Sequence, residues 1–126
     1  MIVLDASAIL ALIQDEPGAD AVQSALPGAH LGTANVAEVV GKLVDGGLDA
    51  RRLCPLLAAA GVVVEELSEA DAELAGVLRS LPAGRQLALG DRCCLALALR
   101  EPGSTVLTTD RAWAALGLPL EVQLLR

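Results

Sequence analysis

Short apolar segments alternate along the chain with longer segments of helical periodicity. The apolar segments cover residues of about 1–5, 29–33, 62–66, 104–108 and 120–124. The first, MIVLD, is continuously apolar up to its final carboxylate, which is typical of a strand buried on both faces of a parallel sheet. Strands that alternate with helices indicate βαβ units. The pattern therefore predicts an α/β fold in which helices cover a five-stranded parallel sheet.

Seven helices fit the remaining intervals. They are predicted at about 6–14, 17–26, 34–46, 49–60, 68–80, 90–101 and 110–116. Pro17 stands at a first-turn position, and Ser68 is a candidate N-cap. The segment 81–90, LPAGRQLALG, has no clear period and is predicted to be a loop near the functional site. No linker or repeat interrupts the 126 residues, which predicts a single domain over 1–126.

Four carboxylates lie where a predicted strand ends or a predicted helix begins. They are Asp5, Glu38, Asp91 and Asp110. Open parallel sheets bind ligands at the carboxyl ends of their strands, so we expect the four side chains to converge there. Two carboxylates 4 Å apart repel by about 4 kcal/mol at an effective dielectric constant of about 20, and a bound cation offsets that repulsion. Mg²⁺ and Mn²⁺ prefer oxygen ligands, so this pattern predicts a divalent-metal site.

Each carboxylate also has a purely structural interpretation. Asp is a favoured N-cap, which alone would explain the three aspartates. Glu38 lies on the polar side of its helix, four residues before Lys42, as in an exposed ion pair. The recurrence of Asp at three strand–helix junctions favours a site, as does the polar stripe that Asn35 forms with Glu38 and Lys42.

Polar and basic residues close to these carboxylates are candidate auxiliary groups. Hydroxyl and amide side chains can orient a carboxylate or a metal-bound water, and arginine can bind phosphate oxygens. The predicted orienting residues are Ser7, Asn35, Thr108 and Thr109. The predicted phosphate ligands are Arg92, which we favour, followed by Arg85 and Arg111.

Composition narrows the classes of function. The net charge of −7 argues against a broad basic surface that binds nucleic acid non-specifically. Eight of the nine basic residues are nevertheless Arg, which is the better ligand for phosphate. Trp113 is the only aromatic residue, so an extended series of stacked bases has almost no platform.

The cysteines and the N-terminus indicate the compartment. Cys54, Cys93 and Cys94 have no CxxC spacing and are predicted to be reduced and buried. Asp5 interrupts the apolar N-terminus, which no basic segment precedes, so no signal peptide is expected. No apolar run approaches the roughly 20 residues of a membrane span. These features predict a cytoplasmic protein.

Two other classes of α/β protein with acidic sites fit less well. A phosphatase with an aspartyl nucleophile needs D-x-D after the first strand, and here the sequence is Asp5-Ala6-Ser7. A signalling receiver domain needs a phosphoacceptor Asp after the third strand, and the segment 62–67 contains none. The absence of P-loop, GxGxxG, GxSxG and HExxH motifs excludes the common nucleotide, serine-hydrolase and zinc-protease classes.

Four segments together resemble PIN-domain proteins, specifically the VapC-type toxins of toxin–antitoxin pairs. They are VLDASAILALIQDEPGAD, TANVAEVVGKLVDGGL, LGDRCCLALALR and VLTTDRAWAAL, and they extend over essentially the whole chain. The resemblance implies that Asp5, Glu38, Asp91 and Asp110 are the acidic set of that family. It also implies a three-layer α/β/α sandwich with strand order 3-2-1-4-5.

The resemblance implies a function as well. Similar toxins are Mg²⁺- or Mn²⁺-dependent endoribonucleases that form homodimers and are inhibited by a cognate antitoxin. We therefore expect a metal-activated water, with one or two ions, to hydrolyse an RNA phosphodiester. The scarcity of aromatic residues favours structured RNA, such as transfer or ribosomal RNA. The antitoxin is expected to lay a segment with basic and apolar residues across the acidic cleft. The alternative is a PIN fold that binds RNA or protein without cleavage.

Overall fold

A five-stranded parallel sheet forms the centre of the computed structural model, which describes residues 1–126. The strands are β1 (Ile2–Leu4), β2 (His30–Gly32), β3 (Val63–Glu65), β4 (Thr105–Thr108) and β5 (Glu121–Leu124). Their order is 3-2-1-4-5, and all neighbours pair in parallel. The predicted α/β class and strand order are confirmed. The order reverses between β1 and β4, and a ligand site is expected beyond the carboxyl ends of these two strands.

Six α-helices and four 3-10 turns connect the strands. The helices are α1 (Ala6–Ile13), α2 (Ala19–Ala25), α3 (Thr33–Asp45), α4 (Leu53–Ala59), α5 (Glu69–Val77) and α6 (Leu89–Ala98). The 3-10 turns cover residues 50–52, 78–80, 84–86 and 111–115. The segment 110–116, predicted to be a helix, is therefore a 3-10 turn, and the predicted loop 81–90 contains one. Both differences arise in segments of five residues or fewer, which are too short to show a helical period.

At the helix ends, the N-cap predicted at Ser68 is confirmed and the first-turn position predicted for Pro17 is wrong. Ser68 caps α5, because its hydroxyl accepts from the amide of Asp71 while the Asp71 carboxylate accepts from the amide of Ser68. Pro17 lies outside α2 instead of in its first turn. Gly18, with φ of 96°, precedes the helix, and a Cβ there would overlap Leu125. Only glycine fits this left-handed turn.

The two faces of the sheet carry two separate apolar cores. Leu4 and Leu107 pack against α1, α2, α3 and α4, whereas their neighbours Val3 and Val106 pack against α6 and Trp113. Successive side chains of a strand point to opposite faces, so each central strand contributes to both cores. This arrangement confirms the predicted three-layer α/β/α sandwich.

Cysteine exposure differs in part from the prediction. Cys93 and Cys94 are buried in α6, but Cys54 is exposed on α4, because this helix turns Leu53 and Leu57 to the core instead. All three thiols are free. None of the helices has the length and apolar character that would be needed to cross a bilayer.

Candidate active site

The structure brings all four predicted carboxylates to one open cleft of about 300 Å³. The cleft lies at the carboxyl edge of the sheet, because Asp5 directly follows β1 and Asp110 closely follows β4. Glu38 comes from the second turn of α3 and Asp91 from the first turn of α6. The complete lining is Asp5, Ala6, Ser7, Leu10, Glu38, Lys42, Asp91, Thr109 and Asp110.

Asp5 is the most buried of the four carboxylates, with 4% of its surface exposed. One oxygen, Oδ1, accepts from the Ser7 hydroxyl at 2.6 Å and from the Ala8 amide at 2.8 Å. The other, Oδ2, accepts from the Thr108 hydroxyl at 2.6 Å. Burial raises the pKa of Asp5 and the negative charge of Asp91 adds to the rise, while the three hydrogen bonds oppose it. The Asp5 carboxylate is thus fixed in position and electrostatically costly to ionise.

Glu38 is held by a buried amide that joins two helices. Asn35, 1% exposed, donates through Nδ2 to Oε1 of Glu38 at 2.7 Å and to the carbonyl oxygen of Gly90 at 3.1 Å. Gly90 supplies the space for this carboxylate, since a Cβ at that position would overlap it. Gly90 was not among the residues predicted for the site. Its position directly before Asp91 was the only signal available.

Asp91 and Asp110 each combine a capping role with a place in the cleft. Oδ2 of Asp91 accepts from the Ala88 amide at 3.0 Å, and Oδ1 of Asp110 accepts from the Ala112 amide at 3.0 Å. Burial raises the pKa of Asp91, and the charge of Asp110 adds to the rise. The capping role of these aspartates is therefore compatible with their place in the cleft.

Each carboxylate keeps an oxygen with unused acceptor capacity. Oε2 of Glu38, Oδ1 of Asp91 and Oδ2 of Asp110 accept no protein hydrogen bond, and Oδ2 of Asp5 accepts only one. The raised pKa values of Asp5 and Asp91, beside free carboxylate oxygens, suit a hard cation. No three acidic, His or Cys side chains are close enough to enclose an ion by themselves. These residues fit an ion that keeps several of its own waters, as Mg²⁺ usually does.

The predicted orienting residues divide into two groups. Ser7, Asn35 and Thr108 hydrogen-bond directly to a cleft carboxylate. Thr109 lines the cleft, but only its backbone amide is engaged, donating to the Ser7 hydroxyl at 3.0 Å. Thr108 also accepts from the backbone amide of Asp110 at 3.0 Å, so one hydroxyl links the Asp5 carboxylate to the backbone of Asp110.

The basic residues are placed differently from the prediction. Arg92 is buried and its guanidinium donates to the carbonyl oxygens of Ala75 at 2.9 Å and Leu87 at 3.4 Å, so it is not available for phosphate. On α6 it points away from Asp91 because adjacent helical residues are about 100° apart. Arg85 and Arg111 are exposed but do not line the cleft. Lys42 does line it, and forms no ion pair with Glu38.

Residues 2–118 match the family model of the PIN domain. The chain belongs to the PIN domain family. Nuclease activity is general for this family, and its nucleases generally use divalent metals. No functionally curated protein has a significant sequence match to the chain.

Solved PIN-fold structures of low sequence identity share the architecture. A toxin–antitoxin complex from Klebsiella pneumoniae has 17% identity, 95% coverage of both chains and a TM-score of 0.71. VapBC2 from Rickettsia felis, bound to a promoter DNA fragment, has 13% identity, complete coverage of both chains and a TM-score of 0.73. FitAcB from Neisseria gonorrhoeae has 21% identity, 96% coverage of both chains and a TM-score of 0.67. At these identities the likeness shows the shared fold.

Replacing Asp5 with Asn is expected to raise the Tm of the metal-free protein at pH 7. The folded-state pKa of Asp5 is raised, so its stabilising contribution is complete below the unfolded-state pKa of about 3.9 and is lost as pH rises through the folded value. The neutral amide avoids that loss and still caps α1. Mg²⁺ should raise the Tm of the wild type more than that of the variant. Thermal unfolding at pH 7 and pH 4, with chelator or with Mg²⁺, measures both effects.

The exposed Asp20→Asn change is the matched control and should show neither effect. An advantage of Asp5→Asn that is equally large at pH 4, or a Mg²⁺ shift equal in both proteins, would contradict the expectation.

Proposed function

We propose that this PIN domain is a metal-dependent endoribonuclease that acts as the toxin of a type II toxin–antitoxin pair. One observation carries the proposal: four carboxylates, each with a free acceptor site, line one cleft at the reversal point of the sheet. A PIN fold that only binds RNA or protein has no need to gather four carboxylates against their mutual repulsion.

The side chains of the cleft divide the work of such a reaction. Asp5, Glu38, Asp91 and Asp110 would hold the divalent ion, Mg²⁺ or Mn²⁺, directly or through water. Bound there, the ion supplies a water of lowered pKa and screens the phosphate charge. Ser7 and Thr108 keep Asp5 in one orientation, and Asn35 does the same for Glu38. We expect the cut to leave 5′-phosphate and 3′-hydroxyl ends.

Structured RNA is the proposed substrate class. No aromatic side chain lines the cleft, and the chain has only Trp113, which is buried. Stacking of single-stranded bases therefore has no platform here. Folded RNA presents a backbone of defined shape instead, and proteins recognise it largely by that shape. Transfer RNA and ribosomal RNA loops both meet this description.

An apolar groove beside the cleft suits the proposed antitoxin partner. It has a volume of about 510 Å³, and ten of its twelve lining residues are hydrophobic, among them Leu48 and Leu56, which are 56% and 58% exposed. Helix α1 lines the groove with Leu12 and the cleft with Leu10. One partner chain can therefore fill the groove with an apolar helix and reach the cleft with a basic segment, which the net charge of −7 favours. Homodimerisation stays a prediction from the family resemblance.

Leu56→Asp is expected to weaken antitoxin binding by at least about tenfold, or about 1.4 kcal/mol. Leu56 is exposed at the groove, so the change should leave the fold intact while placing a charge where an apolar helix docks. Calorimetry with the cognate antitoxin measures the effect. Val77→Asp, an equally exposed site on α5 outside the groove, is the matched control. Equal affinity of both variants would place the antitoxin elsewhere.

Mapping new RNA 5′ ends in cells tests the proposed function and identifies the substrate. The wild-type protein and Asp91→Asn are induced briefly in a host that lacks the antitoxin. Discrete new ends seen only with the wild type would establish a site-specific ribonuclease. Identical maps from the two proteins would reject cleavage and favour the binding module.

A further inference from the structure

Lys42 is the single basic side chain among the residues that line the carboxylate cleft. It is also the only lysine of the chain. It lies four residues after Glu38 on α3, so its side chain leaves the same helix face about 6 Å further along the axis. An ammonium group on a long flexible side chain is thereby kept within reach of the proposed reaction centre.

Four of the eight arginines have polar partners elsewhere in the molecule, and none of the eight lines the cleft. Arg100 pairs with Asp71 and Glu65, Arg92 donates to buried carbonyl groups, and Arg51 pairs with Asp49 at 3.0 Å. Lys42, in contrast, makes no ion pair within 4 Å, although Glu38 is its neighbour on the helix. Its charge is free to bind a ligand.

The charge of the cleft explains why an anionic substrate needs such a group. Four carboxylates and one ammonium give the cleft three negative charges, and one divalent ion would still leave it one negative charge. Without Lys42 the cleft would carry one more negative charge, and the approach of each phosphate group would be less favourable. The Lys42 ammonium group is thus placed where the carboxylates repel the RNA backbone most strongly.

We propose that Lys42 binds a backbone phosphate of the RNA next to the bond that is cut. The proposal rests on the nuclease function argued above and names a residue that holds the substrate. Lys42 replaces Arg92, which the sequence favoured for this role and which the fold buries. As a point charge without a fixed fork, lysine tolerates phosphates in varied orientations, so this contact positions the strand without reading its sequence.

The presence of one lysine permits a direct measurement. Reductive methylation with ¹³C-formaldehyde labels only the Lys42 Nζ and the α-amino group of Met1, and both keep their positive charge. Met1 precedes β1 and pairs with Glu101 at 2.9 Å, so it lies at the opposite edge of the sheet and serves as an internal reference. On titration with total transfer RNA, with Ca²⁺ in place of Mg²⁺ to slow cleavage, the Lys42 resonance should shift and that of Met1 should not.

The binding of Lys42 variants to the same total transfer RNA gives a second measurement. Lys42→Met is expected to lower the affinity for total transfer RNA about fivefold and to reduce the slope of log K against log salt by about one, whereas Lys42→Arg should keep both near the wild-type values. Arg51→Met also removes one exposed positive charge, but outside the cleft, and should leave the salt slope and the cleavage rate unchanged. Tm values of the variants equal to that of the wild type would exclude unfolding as the cause of a lower RNA affinity.

The outcomes separate this proposal from the proposed function. If the wild type cuts RNA, Glu38→Gln does not, and Lys42→Met keeps the wild-type affinity and salt slope, the nuclease function stands and the role of Lys42 is rejected. An unmoved Lys42 resonance on saturation with RNA rejects it as well. If neither the wild type nor any variant binds or cuts RNA, both proposals fall.

Discussion

Glu38→Gln is expected to lower the rate of RNA cleavage by about 10³-fold, which corresponds to about 4 kcal/mol of transition-state stabilisation. The amide has the size of the carboxylate, and its oxygen can still accept from Asn35. The change therefore removes the negative charge that would hold the ion and leaves the local packing alone. Single-turnover cleavage of the RNA identified by end mapping, at saturating Mg²⁺, measures the loss.

Two comparisons make this expectation specific. Glu73→Gln on α5 is an equally isosteric change at an exposed glutamate outside the cleft, and its cleavage rate should equal that of the wild type. The Tm of both variants should also be close to that of the wild type. Cleavage by Glu38→Gln within a few-fold of the wild type would show that the carboxylate does not serve the reaction.

Gly90→Ala is expected to reduce cleavage by about 10²-fold with little change in stability, in the range that the loss of groups orienting a metal ligand produces. The added methyl group would overlap the Glu38 carboxylate, and the flexible end of that side chain can move away at low cost. Alanine is also the better helix former, which offsets part of the strain in α6. The predicted loss of activity thus comes from displacement of one carboxylate, and it is measured by cleavage rate and Tm together.

Gly76→Ala provides the control for this prediction. Gly76 is also helical, in α5, and a Cβ there meets no atom within 4 Å. The Gly76→Ala protein should be slightly more stable than the wild type and keep full cleavage activity. A Gly90→Ala protein that unfolds would indicate that Glu38 cannot move, and one that cleaves normally would show that its position tolerates a shift.

The existence of the five strands and the identity of the cleft carboxylates followed from local patterns. Each strand is a short apolar run that is distinct from the helical periods around it, so its existence could be predicted from the order of apolar and polar residues. Asp5 and Asp110 end strands, and parallel strands bring their carboxyl ends to one edge. Family resemblance added the strand order. The start of α2 was not predictable in this way, because Gly18 lies close to the distant residue Leu125. The 3-10 turn at 111–115 was not predictable because five residues are too few to show a helical period.

The roles of the groups around the carboxylates depended on geometry that a sequence does not contain. Arg92 was favoured because it is adjacent to Asp91, yet adjacent helical residues face different directions, and α5 packs over this arginine. For Lys42 the sequence allowed either an exposed ion pair with Glu38 or a place in a polar stripe at the site, and the fold places it in the cleft without an ion-pair partner. Thr108 and Thr109 are equivalent in sequence, and only the alternation of the strand turns the Thr108 hydroxyl towards Asp5.

The sequence by itself determined which charged residues lie at the carboxyl edge of the sheet, because secondary-structure periods and strand ends are local properties of the chain. The tertiary structure alone decided how these groups meet. Whether Gly90 leaves room for Glu38, whether Asn35 joins α3 to α6, and which cation faces the carboxylates are set by the packing of helices that are far apart in sequence. Such packing depends on the shapes of many side chains at once, so no single segment encodes it.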